Sequence, residues 1–340
     1  MIKGKQKWDY SISFVRMTAM IFIVTCHFFQ YYQNELAFWF NVGVQMFFFI
    51  SGLLHANREE TNWFEGIKKS FLKLLVPYYI LVTIACIFWF GFTSDANFID
   101  LVNIFTLHSY GKFIGLHHLW FVAYILLAYI MTPLVNKILK CLEKSKTHMI
   151  LGIIVVLIGG GVLFFERFAT YYNSAWMICY FLGLWMGKLQ KSSDFSLLLN
   201  CVKIIVCVCA IIFNFFQILC DYFIELNLSP IMQTIYNKFC DYAHVLLGIS
   251  LVFLLRYIYQ KINCFSLEHY ILEKSDKYSY YIYLTHQIFI LGNFSICSVI
   301  DSPIIAITLA CGFILLSALI LYFLANEVFR VVYKHEGNKV

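Results

Sequence analysis

The chain has 340 residues, of which 61% are hydrophobic, 19% aromatic and only 13% charged. Soluble domains carry about 45–50% apolar and about 25% charged residues, so this composition lacks the polar surface needed to cover a water-exposed globule. It excludes a disordered chain, a disulfide scaffold, a nucleic-acid-binding module and a soluble enzyme, and leaves an all-α polytopic transmembrane helix bundle.

A helix needs about 20 apolar residues to cross the hydrocarbon core. Ten such stretches are predicted, at approximately 12–32, 36–56, 71–92, 115–136, 147–166, 170–190, 197–219, 233–256, 278–299 and 303–326, and residues 1–340 read as a single integral-membrane domain. The first stretch contains an arginine and exceeds the roughly 7–15 apolar residues of a secretory signal, so it is predicted to remain as a span. With the N-terminus placed inside, 21 of the 25 basic residues fall on the inner side. Lys112, Arg167 and Lys238 fall outside, and Arg16 lies within the first span. Lys and Arg near helix ends favour the cytoplasm, so both termini are expected there. The net charge of +6 suits an anionic inner leaflet. Most of the twelve cysteines lie inside spans, where a thiol packs as a small hydrophobe. No spacing matches a zinc site, and no metal is expected. Cys220 and Cys240 fall near the outer face, where one disulfide is conceivable but not predicted.

In the first span, Arg16 lies inside the apolar stretch. An arginine at bilayer depth costs at least about 2.5–3.5 kcal/mol, which favours a cavity or a partner. His27 follows eleven residues later, a turn of about 1100°, so both fall on one helical face about 16 Å apart along the axis. Separately, each has a plain explanation: arginine snorkels to headgroups, and histidine bonds across helices. Together they suggest a polar path entering from the cytoplasm. The second span carries Asn41 and Gln45 at i,i+4, and Ser51-Gly52 as a point of close helix approach. At the start of the third, Lys69 and Lys73 share one face, suited to gripping phosphates or simply marking the inner side. The fourth begins His117-His118-Leu119-Trp120-Phe121, either the rim of a site or an interfacial aromatic belt. Asp241 and His244 in the eighth span and His286 in the ninth are further ionisable groups at membrane depth.

Four segments carry a family resemblance. Ser13-Phe14-Val15-Arg16 with Val24-Thr25-Cys26-His27 is similar to an arginine, ten residues, histidine signature. Gly43-Val44-Gln45-Met46-Phe47-Phe48-Phe49-Ile50-Ser51-Gly52 is similar to Gly-Val-x-x-Phe-Phe-x-x-Ser-Gly. His118-Leu119-Trp120-Phe121, with Tyr129 and Pro133, and Ser279-Tyr280-Tyr281-Ile282-Tyr283-Leu284-Thr285-His286 complete the series. In order and over nearly the whole chain, they resemble the acyltransferase 3 family of bacterial integral-membrane O-acyltransferases. The chain departs from that pattern at Ser13, Gln45 and Ile125, where many members are acidic. It also has Lys69 and Lys73 in place of arginines, without the bidentate fork, and Glu327-Val328-Phe329 only echoes the family's C-terminal ending.

The resemblance implies an O-acetyltransferase of the bacterial cytoplasmic membrane. Acetyl-CoA would be the acyl donor, and a hydroxyl of a surface polysaccharide or of its lipid-linked precursor the acceptor. Polysaccharide-assembly proteins are the expected partners, together with the lipid bilayer and without nucleic acid. On this reading His27 is catalytic, as base or as acyl carrier, with Arg16 below it on the same face. Lys69 and Lys73, with Arg16 as a third cation, hold the donor phosphates. Gln45, Ser51, His118 and Trp120 are candidate donors to the oxyanion, and His286 is a secondary candidate. Tyr31, Tyr32, Trp39 and Trp176 could stack on sugars or form the interfacial belt. Two alternatives remain: a transporter of glycan precursors, and a non-catalytic subunit of a polysaccharide synthase.

Overall fold

A computed structural model describes residues 9–56, 63–92, 97–108, 113, 115–141, 145–164, 173–191, 193–223, 228–262 and 266–337. Among them there is no strand. The helices are α1 (Tyr10–Tyr31), α2 (Leu36–Phe40), α3 (Val42–His55), α4 (Trp63–Phe92), α5 (Phe98–Phe105), α6 (Trp120–Cys141), α7 (Lys146–Val155), α8 (Ser174–Leu189), α9 (Ser196–Phe223), α10 (Pro230–Lys261), α11 (Ser266–Ile290) and α12 (Pro303–Gly337). Among the described residues seven segments are long and apolar enough to cross a membrane: Tyr10–Tyr31, Leu36–His55, Glu65–Phe88, His117–Cys141, Ser196–Phe223, Pro230–Lys261 and Pro303–Val332. The protein is an all-α polytopic bundle. Of the basic residues used to orient it, Lys3, Lys5, Lys7, Arg58, Lys112, Lys144, Arg167 and Lys339 lie outside the described residues.

Several element boundaries differ from the hydropathy reading, each for a local reason. The stretch 36–56 is divided into α2 and α3 by the single residue Asn41, which itself keeps helical φ −61° and ψ −15°. The helix of stretch 115–136 begins only at Trp120, after a short 3-10 turn over His117–Leu119. Stretch 147–166 continues from α7 into a π-helical segment, Val156–Phe164, which contains Gly159-Gly160-Gly161. Glycine costs about 0.5–1 kcal/mol relative to alanine in a regular helix, and this run weakens the α-helical alternative. Stretch 278–299 lies on a helix that starts at Ser266 and ends at Ile290. The polar turn Glu268–Lys277 is helical outside the apolar run, while Gly292 and Asn293 terminate it.

The chain folds into two compact units. The first contains Met1–Ala19, Asn41–Glu59 and Met131–Glu273. Its core is the pairing of α3 with α8, made close by glycines. A Cβ on Gly52 would strike the Tyr180 carbonyl, and one on Gly183 would strike the Phe49 carbonyl. Small residues allow helix backbones to approach in this way in membranes, where lipid offers no hydrophobic drive for association. Gly248 of α10 packs against Gln45 Cβ, 2.6 Å from an ideal Cβ. Deep in this unit Thr132 and Tyr180 share a hydroxyl hydrogen bond of 2.6 Å, and Ser174 and Tyr242 share another of 2.6 Å. Asn173 Nδ2 donates to Asp241 at 2.9 Å, which satisfies the carboxylate predicted at membrane depth. Cys220 and Cys240 are both free thiols, with no disulfide.

The second unit contains Met20–Phe40, Glu60–Ile130 and Lys274–Val340. Tyr78 and Tyr79 of α4 donate to the last carbonyls of α5, those of Ile104 at 2.6 Å and Phe105 at 3.2 Å. These bonds satisfy helix-end acceptors that water would otherwise serve. Pro77 sits within α4 and removes one ladder donor there. Phe28 of α1, Ile290 of α11 and Ala306, Ala310 and Ile314 of α12 form one buried cluster. It fixes α1 and α11 at the level of His27, the residue next to Phe28, and of His286, one turn before Ile290.

Candidate active site

Within the second unit, three chain segments deliver histidines to one place. His27 comes from α1, His118 from the 3-10 turn before α6, and His286 from α11. The His27 and His286 ring centroids are 4.9 Å apart, those of His118 and His286 4.7 Å, and those of His27 and His118 6.4 Å. His118 and His286 are buried, whereas His27 is partly exposed. Only one of the three therefore offers itself to a ligand.

The hydrogen bonds assign the nitrogens. His27 Nδ1 lies 2.6 Å from Gln30 Oε1, one helical turn on, so Nδ1–H donates and Nε2 keeps its lone pair. His286 Nδ1 lies 2.6 Å from the Tyr283 carbonyl and must donate to it. Its Nε2 is a buried acceptor with no hydrogen-bond partner among the described residues. His118 faces two acceptors, Gln287 Oε1 at 3.0 Å from Nδ1 and the Leu284 carbonyl at 3.2 Å from Nε2. A neutral ring supplies one of those two protons, and an imidazolium both. The His118 backbone N–H also donates to Gln287 Oε1 at 3.1 Å, which fixes that amide oxygen. Tyr283 OH donates to the His118 carbonyl. One turn of α11 therefore grips His118 by ring, N–H and C=O together.

Backbone geometry makes this grip achievable. Gly115 has φ +92°, a left-handed conformation that an L side chain rarely adopts. An ideal Cβ there would lie 2.7 Å from Gly292 Cα and 3.2 Å from Ile288 Cα. Two glycines in contact thus seat the turn of His118 on the end of α11.

Of the other predicted residues, Lys69 and Lys73 are exposed on α4. No described contact joins them to the histidines, but Tyr280 OH of α11 donates to the Leu74 carbonyl at 2.9 Å, beside Lys73. His286 is six residues beyond Tyr280, about 9 Å along the same helix. Trp120 is partly buried and packs edge-on with Tyr124 at 5.2 Å, one helical turn on. Arg16, Gln45 and Ser51 belong to the first unit. Arg16 is partly buried on α1. Gln45 is buried, and its carbonyl accepts from Cys179 Sγ at 3.1 Å. The Ser51 carbonyl accepts from His55 Nδ1 at 2.8 Å. Trp176, considered for sugar stacking, lies parallel to Phe48 at 6.5 Å.

Gln30, Gly115 and Gln287 do not stand out in the sequence as site residues, and Tyr283 is marked there only as part of the segment that ends at His286. Two signals for them are present there: Gln287 directly follows His286, and Gln30 is i+3 from His27. Among the described residues no group of three His, Cys, Asp or Glu side chains is placed to hold a metal ion. A family model described as an acyltransferase domain, that of acyltransferase 3, matches residues 9–323. No curated protein and no solved structure matches the chain.

Proposed function

The chain belongs to the acyltransferase 3 family and is a multi-pass membrane acyltransferase; from that premise we propose that it moves an acetyl group from acetyl-CoA to a hydroxyl of a surface polysaccharide or its lipid-linked precursor, in the bacterial cytoplasmic membrane. The observation that carries this reading is the partly exposed His27, whose Nδ1 is bonded to Gln30 so that Nε2 keeps the lone pair, beside two buried histidines.

His27 Nε2 takes the proton of the attacking hydroxyl, since a neutral imidazole is the side chain whose basicity suits that transfer near neutral pH. The hydroxyl oxygen then forms the new ester bond to the acetyl carbonyl carbon. The thioester bond breaks, and CoA leaves as the thiol once its sulfur is protonated. His27 returns that proton to the sulfur, and His286 Nε2 stands as an open acceptor beside the His27 ring. Gln30 keeps His27 in the tautomer that presents Nε2, and Gln287 holds His118 against the cluster. Lys69 and Lys73 attract the donor phosphates, as point charges rather than forks. Arg16 stands eleven residues before His27 on the same continuous helix, along the donor's route. Polysaccharide-assembly proteins would pass the acceptor to this site.

The test is His27→Ala at confirmed membrane expression, read by NMR of the surface polysaccharide and by free CoA release in proteoliposomes. A fall of about 10²–10⁴-fold in ester formation is expected. Near-normal acetylation would remove His27 from the chemistry, and substrate flux without any CoA requirement would favour a transporter.

A further inference from the structure

A second feature lies entirely in the first unit and shares no residue with the histidine cluster. A cavity of about 450 Å³ is lined by Gln190, Lys203, Phe253, Arg256, Tyr257 and Gln260. Lys203 is in the first third of α9 and Arg256 in the last third of α10, so the two cations meet at one end of an antiparallel helix pair. Lys203 Nζ sits 6.0 Å from the Phe253 ring centroid, and Lys261 Nζ sits 5.6 Å from that of Tyr257. Three cations therefore stand in or beside this cavity.

The protein answers only one of them with a carboxylate among the described residues. Arg256 Nη2 pairs with Asp9 Oδ2 at 3.1 Å, and its Nε donates to Ser11 Oγ at 3.1 Å. Asp9 Oδ1 is already taken by the Ser11 N–H at 3.1 Å and hydroxyl at 2.5 Å. A guanidinium has five N–H donors, so Arg256 retains others after these two bonds. Lys203 has the Phe253 ring and no ion pair among the described residues. Like charges facing one cavity repel, and a half-buried lysine beside an arginine is held there at a cost unless an anion joins them.

We propose that this cavity is a binding site for a phosphate ester. Arginine's remaining donors and lysine's point charge suit the oxygens of a phosphate, and the Gln190 and Gln260 amides add neutral donors. The volume falls within the range of about 300–1,000 Å³ typical of small-molecule sites, more than a bare phosphate fills. Phe253 and Tyr257 give the attached organic group an apolar wall. Two sources share this chemistry. One is the headgroup of an anionic phospholipid, attracted to basic residues near helix ends. The other is a water-soluble phosphate compound.

The full chain in neutral phosphatidylcholine nanodiscs is titrated with pyrophosphate by calorimetry. In parallel, nanodiscs doped with phosphatidylglycerol are analysed by native mass spectrometry for retained lipid. Binding of either probe is expected, and which one binds identifies the source. Lys203→Gln weakens it about tenfold, the effect of losing a charged hydrogen bond. Lys203→Arg keeps it, and Lys137→Gln, which does not line the cavity, leaves it unchanged. Gln260→Leu, at an exposed position, weakens it about threefold and serves if Lys203→Gln fails to fold. Failure of both probes to bind, or equal binding by wild type, Lys203→Gln and Gln260→Leu, overturns the proposal.

Discussion

His118 shows how a single side chain's setting can be more informative than its identity. Its ring, N–H and carbonyl are all bonded to one turn of α11 through Gln287, Leu284 and Tyr283. Replacing Gln287 with Leu leaves the buried His118 N–H without an acceptor, which costs about 1–3 kcal/mol. The ring also loses one of its two partners. If Gln287 positions His118, Gln287→Leu lowers kcat about tenfold with little change in KM for the acyl donor. Gln287→Glu, which keeps an acceptor oxygen, recovers part of the loss. A purely structural role would instead lower the amount of folded protein and leave kcat per folded molecule untouched. At this scale the sequence was readable for His27 and His286, because an ionisable group in an apolar run is conspicuous. Gln287 and Gln30 were not, because amides are unremarkable until the partner across the fold is known.

At the scale of elements, the glycines separate into those that bear contacts and those that do not. Gly115 combines a positive φ with a close approach to Gly292, whereas Gly312 in α12 has nothing within 4 Å of an added Cβ. Gly115→Ala is therefore expected to cost about 1–3 kcal/mol in backbone strain and to displace the turn of His118, with loss of activity exceeding loss of melting temperature. Gly312→Ala is expected to leave activity intact and to stabilise by about 0.5–1 kcal/mol through helix propensity. Thermal melting and acyl transfer measured on both variants check the contrast. A Gly115→Ala enzyme with wild-type activity would show that the glycine contact does not position His118. Helix existence was legible from apolar runs about 20 residues long. Helix ends were not, as at Trp63 and Ser266, where helices extend into polar sequence that hydropathy assigns to loops. The lysines of α4 illustrate the same limit: their shared face followed from i,i+4 spacing, while the contact of α4 with α11 at Leu74 is visible only in the Tyr280 bond.

For the whole molecule, the open quantity is the number of crossings, and it has a sharp consequence. Among the described residues seven segments qualify by length and composition, and an odd number of crossings places the termini on opposite sides. Ten crossings place them on the same side. The three disputed stretches all contain helix, but each is compromised. α8 has 16 residues, about 24 Å of helix against a hydrocarbon core of about 30 Å. α7 reaches span length only through its π-helical continuation. α11 opens with Glu268, Glu273, Lys274, Asp276 and Lys277 and is apolar only toward its end. Charge favours ten only slightly: that division puts 21 of 25 basic residues on the inner face, and the seven segments alone still put 19 there, because Arg167 joins them while Arg330, Lys334 and Lys339 leave. A short helix is also no barrier to crossing in a bundle, since protein-covered backbone need not meet lipid and the bilayer can thin locally at a modest cost. Reporter fusions decide it: with ten crossings, a periplasm-active phosphatase is silent at both the N- and C-terminus, and a cytoplasm-fluorescent protein is bright at both. An active phosphatase at Val340 with a cytoplasmic N-terminus would require an odd count. It would also put Arg330 and Lys334 outside, against the tendency of basic residues near helix ends to stay in the cytoplasm.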